Sequence, residues 1–206
     1  TTWLLRRGDP MQRMKESVPA IPPVLGKMEL KPNASESDRR LALAKHLIRK
    51  DHPLTARVLI NRIWQNHFGM GLVDTPSDFG HMGRKPTHPQ LLDWLANEFV
   101  QNGWSMKKLH RLIVTSHTYL QTSKPREMAL RVDADSRLLW RFPPRRLEAE
   151  AIRDCILSIS GKLNQKTGGR GFDFFDQRGG LSDYHPKETF EKDGWRRMIY
   201  AHKVRM

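Results

Sequence analysis

Cysteine is almost missing: Cys155 stands alone in 206 residues. No disulfide can form within the chain, and no Cys-x-x-Cys-His haem attachment site exists. No apolar run approaches the roughly eighteen residues of a membrane span. No secretory signal pattern opens the chain, which begins Thr1-Thr2-Trp3 and not with methionine. A fragment or a processed product is expected, and the compartment is left open. Complete catalytic, nucleotide and metal motifs are missing too. Gly168-Gly169-Arg170-Gly171 lacks the Gly-x-x-x-x-Gly-Lys-[Ser/Thr] spacing of a phosphate loop, with no clear strand before it. There is no internal repeat. Acidic residues are scarce: 22 Asp and Glu face 36 Lys and Arg, a net charge of +14. That balance favours an anionic partner, whether nucleic acid, acidic polysaccharide, anionic membrane or acidic protein. The basic residues are dispersed, whereas nucleic-acid binding prefers a stripe or cluster.

What the chain does have is helical punctuation. The spacing predicts a first helix over 38–49, capped by Ser37, with Leu41, Ala44, Leu47 and Ile48 as its apolar stripe. Pro53 stops it, because the residue before a proline is pushed out of the helical region. A second helix is predicted over 54–68, with Thr55 as N-cap. Its apolar face is Ala56, Leu59, Ile60, Ile63, His67 and Phe68, and Gly69 sits at the left-handed end position. Thr87-His88-Pro89-Gln90 reads as a capping box opening a third helix, which buries Leu91, Leu92, Leu95, Ala96, Phe99 and Val100 and ends at Gly103. Ser105 caps a fourth, running to about Tyr119 with Leu109, Leu112, Ile113, Ser116 and Leu120 on one side. The short link makes the third and fourth a helical hairpin. A fifth is predicted from Arg145 to about Ser160, with Ala151, Ile152, Cys155, Ile156 and Ile159 on its apolar face. On that face Cys155 reads as a small buried hydrophobe, not a nucleophile.

The rest is irregular. Pro10, Pro19, Pro22, Pro23 and Pro32 mark residues 1–36 as an extended, Pro-rich arm over the surface of a core, with a tight turn at Arg6–Pro10. Residues 37–163 form the expected helical core domain. Residues 164–206 form a Gly-rich loop and C-terminal segment, expected to be truncated, with a candidate strand in Trp195–Val204. Leu138, Leu139, Trp140 and Phe142 are expected to anchor the stretch before Pro143 by burial. The fold expected is mainly α: an irregular bundle of about five helices with long loops and room for a short C-terminal strand.

The polar residues that packing could gather into one site are Asn61, Arg62, His67, Asp78, His88, His110, Glu148, Arg153 and Asp154. Arginine, histidine and carboxylate together are the material of acid–base or anion-binding chemistry. They are equally the material of structural ion pairs. Asp78 and His88 flank or lie in the loop 69–86, where with His81 they match no metal-ligand spacing. The commoner role of such residues is turn and cap formation. Metal ligands are therefore not expected. Trp64, Trp94, Trp104 and Trp140 are candidates for base stacking, but helical spacing favours core packing.

Together several runs carry a resemblance: Leu54–Val58, Asn61–Gly69, Thr75–Gly80, Pro86–Pro89, Leu92–Ala96, Gly103–Ser105, Lys108–Ile113 and Arg145–Asp154. The chain resembles a bacterial domain-of-unknown-function family, number 1553, also called a planctomycete-specific domain. The likeness is dense over about 38–161. It implies the C-terminal part of a long chain, after another uncharacterised domain and often a cytochrome c module, with a secretion signal. It also implies an extracytoplasmic, redox- or polysaccharide-related setting. Haem would then sit on the associated module, with no cofactor in this chain. The family has no established activity and supplies no catalytic residues. The reading that results is a non-catalytic docking or scaffold module for other domains of its parent or an acidic protein. The alternatives are an enzyme acting on an anionic substrate such as a polysaccharide, and a nucleic-acid-binding basic domain.

Overall fold

The computed structural model describes residues 2–31, 33–177 and 184–202. Pro32 and residues 203–206, the end of the expected C-terminal strand, lie outside them. The fold is mainly α, with seven α-helices and a few short strands among the described residues. The chain divides into two compact units, Thr1–Pro144 and Arg145–Met206.

The arm of the first unit is more ordered than its prolines suggest. Strands β1 (Thr2–Leu5) and β2 (Arg13–Ser17) pair antiparallel. The turn between them is held by the Asp9 carboxylate, which accepts the Met11 N–H at 2.9 Å and the Gln12 side-chain amide at 2.8 Å. Helix α1 spans Glu36–Leu47. Its cap is Ser35, not Ser37, because Asp38 stands three residues beyond Ser35 and completes a reciprocal capping box.

The core of this unit forms where the apolar faces of three helices meet. Helix α2 (Thr55–Phe68) buries Ala56, Ile60, Ile63, Trp64 and Phe68, and the Trp64 and Phe68 rings stack at 4.1 Å. Helix α3 (Pro89–Gln101) contributes Leu92, Leu95, Ala96 and Phe99, and helix α4 (Met106–Val114) contributes Leu109 and Ile113. Gly69 closes α2 at φ 84°, as its position predicts. Ser105 caps α4 by accepting the Lys108 N–H. The Thr87 capping box does not form. His88 is the residue flanking α3, and both the N–H and the hydroxyl of Thr87 are spent on the Leu72 carbonyl. A tertiary bond that holds the loop outweighs a local cap.

The predicted fourth helix breaks. At Ser116 the hydroxyl donates to the Ile113 carbonyl and accepts the Tyr119 N–H, so the chain ends α4 and restarts as α5 (His117–Leu120). Helix α6 (Glu127–Val132) follows in a stretch with no legible period. Beyond it Leu139 and Phe142 pack on the core as expected, whereas Leu138 is exposed.

In the second unit, α7 spans Ala149–Ile159, starting after Glu148. Short strands follow: β3 (Phe172–Asp173), β4 (Phe175–Gln177), β5 (Tyr184–Pro186) and β6 (Ala201–His202). β3 pairs with β6 in parallel, and β4 with β5 antiparallel. Within the strand expected in Trp195–Val204, the described residues form a strand at Ala201–His202, preceded by two 3-10 turns, and Arg196 makes an isolated parallel bridge to Asn164.

Two predicted apolar stripes are not buried. On α1, Leu41, Ala44, Leu47 and Ile48 face outward, and the one buried residue is His46. On α7, Ile152, Cys155, Ile156 and Ile159 are all exposed. Cys155 is thus not the small buried hydrophobe that its spacing suggests. Periodicity shows that a helix has an apolar side; it does not show that this chain supplies the cover.

Candidate functional site

Of the polar set in the first unit, the structure joins His67 and His110. His67 lies on α2 and His110 on α4, and packing of these helices brings His67 Nε2 to 2.7 Å from His110 Nδ1. The Tyr119 ring stands edge-on to His67 at 5.8 Å. One nitrogen of such a pair must donate and the other accept, so the two imidazoles share one proton between them. The other members have local work. Asn61 is fully buried and bonds both backbone groups of Val73, its amide donating to the carbonyl at 2.9 Å and its oxygen accepting the N–H at 2.8 Å. Asp78 accepts the Gly80 N–H and closes a turn with Thr75. His88 sits against the Thr87 hydroxyl, and Arg62 is exposed. No group of three or more His, Cys, Asp or Glu able to hold a metal occurs among the described residues.

Two histidines outside the predicted set are more deeply buried. His52 Nδ1 accepts the N–H groups of Leu54 and Thr55 and the Thr55 hydroxyl. It therefore caps α2, the role that spacing gives to Thr55. His46 meets the His52 ring edge-on at 5.3 Å. The Nε2 atoms of both are buried without a hydrogen-bond partner among the described residues. Burial pushes the His52 pKa below its ordinary 6.5; His46 and Arg49 push it the same way and Asp51 opposes them. Protonation would also place a hydrogen where Nδ1 must accept. A depressed folded-state value means that the unfolded chain takes up the proton first as pH falls. Stability is then full above about pH 6.5 and declines below it until the folded-state value is passed. Urea midpoints measured across this window should fall with pH. His52→Asn, whose side-chain oxygen accepts the same amide hydrogens, should flatten the slope; an unchanged slope would assign it elsewhere.

Beside this corner lies a groove of about 610 Å³ between residues 27–31 with Ala34 on one side and α1 on the other. Met28, Leu30, Leu41 and Ala42 give it apolar walls, and Lys27, Lys31, Lys45 and Arg49 line it. His46 also lines it, at 5% exposure.

The second unit holds its members of the set apart. Glu148 flanks α7 and is exposed. Asp154 accepts the Met198 N–H at 2.9 Å. Arg153 donates to the Gly194 and Arg196 carbonyls and lies over the rings of Phe172, Phe174 and Phe190 at 5.2–5.7 Å. Burial lowers its pKa, with Asp154 acting against that. Arg196, which the sequence reading passed over, is 2% exposed and bonded to three backbone carbonyls. A cavity of about 580 Å³ beside Phe172 and Phe190 has an acidic rim whose three aspartates are engaged, while Glu188 and Glu191 also line it. There Asp173 meets His202, Asp176 meets Lys187 and Asp193 meets Lys166.

Residues 39–206 match the model of the family described as PSD1, protein of unknown function (DUF1553). The chain belongs to this family. The match begins inside α1 and takes in both units, so the α1 wall of the groove lies almost wholly within the family region and the wall formed by residues 27–31 and Ala34 lies before it. No curated protein and no solved structure matches the chain.

Proposed function

We propose that this family member is a non-catalytic docking module that binds an acidic partner through apolar helix faces set in a basic surface. The observation that carries the reading is the pair of uncovered stripes. Leu41 on α1 is 52% exposed, and Ile156 and Ile159 on α7 are 61% and 87% exposed. Full burial of a fully exposed side chain of this kind is worth about 1.5–3 kcal/mol, and covering what remains exposed here is worth roughly half of that or more per residue. Several together supply a useful part of what association costs in lost freedom. The net charge of +14 favours an acidic partner and speeds its approach. Within the first unit, the polar set supports the same reading: Asn61, Asp78 and His88 are committed to neighbouring backbone or hydroxyl groups. The enzymatic alternative rests on the shared proton of His67 and His110. The setting we propose is extracytoplasmic, with other domains of a longer parent, such as a haem-bearing cytochrome c module, as the partner.

Hydrogen exchange compares the isolated chain with the same residues in their native assembly. Amides of α1 and α7 are expected to exchange at least about tenfold more slowly in the assembly, the signature of about 1.4 kcal/mol of added protection. Equal rates in both helices would remove the docking reading.

A further inference from the structure

The groove beside α1 has a charge pattern that narrows what it can hold. Of its cations, Arg49 is already bonded to Asp51. Of its carboxylates, Asp38 is used in the Ser35 capping box. That leaves Lys27, Lys31 and Lys45 against Glu29, an excess of positive charge around aliphatic walls. The apolar ridge does not stop at the groove. It continues from Leu41 through Ala44 to Leu47 and Ile48, about two helical turns or 10 Å of α1. At the groove lies His46, nine-tenths buried, whose Nε2 has no partner among the described residues.

We propose that this groove seats an acidic amphipathic helix of a partner protein, its apolar side along Leu41 and its carboxylates on the three lysines. The inference rests on the docking reading and names its occupant. A ridge of aliphatic side chains two turns long is the surface that helix-in-groove recognition uses, with anchors at i, i+3, i+4 and i+7. A concave site of this volume admits several side chains from a convex partner, but not a flat bilayer. No aromatic ring other than His46 lines it, so it offers no stacking platform for a single-stranded nucleic acid.

The probe is a labelled synthetic peptide of about fifteen residues. It carries leucine at i, i+3, i+4 and i+7 and glutamate on its flanks. A scrambled peptide of equal composition and a DNA oligonucleotide serve as competitors. By fluorescence anisotropy the patterned peptide is expected to bind at least tenfold more tightly than the scrambled one. Leu41→Glu and Lys45→Glu, both at exposed positions, should each weaken it at least fivefold. Met106→Glu, an exposed site on α4, should leave it unchanged. Equal binding of the scrambled peptide, displacement by the oligonucleotide at equal concentration, or indifference to Leu41→Glu would overturn the inference. If α1 is protected in the native assembly yet the patterned peptide does not bind, docking stands and the acidic helix falls. If α1 and α7 are not protected and the peptide does not bind, both fall.

Discussion

Asn61→Ala is expected to cost about 2–6 kcal/mol of folding stability, one of the two largest effects of any single change considered for this chain. The magnitude follows from what is left behind. Asn61 is fully buried on α2, and its side chain satisfies the N–H and the C=O of Val73, which is itself 2% exposed. Alanine removes both partners and leaves two buried backbone groups unpaired, at about 1–3 kcal/mol each. Asn61→Asp should do little better, since a carboxylate keeps the acceptor, loses the donor and adds a buried charge. Chemical denaturation reads this as a lower midpoint with an unchanged m-value. A loss under about 1 kcal/mol would mean that the loop is held by Leu72 and Val73 packing alone.

The neighbouring glycine sharpens the test. A Cβ on Gly71 would lie 2.5 Å from the Val73 carbonyl oxygen and 2.8 Å from both polar atoms of the Asn61 amide. Gly71→Ala therefore attacks the same pin from the other side. The two changes should be strongly non-additive, because either one already frees the loop.

The same pin shows what could be read in advance. Helices α2, α3 and α4 follow from the 3.6-residue period of their apolar residues and from Gly69, Gly103 and Ser105 at their ends. These are local signals, and local chemistry decides them. Asn61 could be named as polar and central, but its partner lies 12 residues on in a loop without a pattern. His67 and His110 were both legible as candidates, although they sit 43 residues apart and only helix packing makes them neighbours. Where tertiary bonds compete with local ones, sequence reading fails. Thr87 abandons its capping box for the Leu72 carbonyl, 15 residues back. The cap of α2 is missed for a local reason: histidine is not among the usual capping residues, yet His52, three residues before Thr55, supplies the acceptor. The groove was out of reach for a different reason. Its apolar wall on α1 is visible as a stripe, but a stripe looks the same whether its cover is inside the chain or outside it.

Arg196 presents the opposite case, a residue that composition would place at the surface. Arg196 and Arg197 are adjacent, yet the first is 2% exposed and the second is exposed. The guanidinium of Arg196 lies 3.9 Å from the Tyr200 ring centre and donates to the carbonyls of Lys166, Gly168 and Arg170 at 3.2, 2.6 and 2.8 Å. It is the peg around which the Gly-rich loop winds. Gly168 and Gly169 at φ 74° and 76° let the chain make that bend, and the Tyr200 hydroxyl accepts the Gly168 N–H at 3.0 Å. Hydrogen bonds to a charged donor are worth about 1.5–3 kcal/mol each, and they do not add fully. Arg196→Met, which keeps much of the apolar stem, is therefore expected to lose about 3–6 kcal/mol of local stability. Lysine cannot present the planar fork, so Arg196→Lys should recover less than half of it. Amide exchange at Gly168 is the direct readout, since its N–H is bonded to the Tyr200 hydroxyl only while the loop stays wound. Arg197→Met supplies the control, with a change within about 0.5 kcal/mol. Equal exchange in the two methionine variants would show that the Tyr200 contacts and the loop's own turns hold it, and that the buried guanidinium fills space without organising the loop.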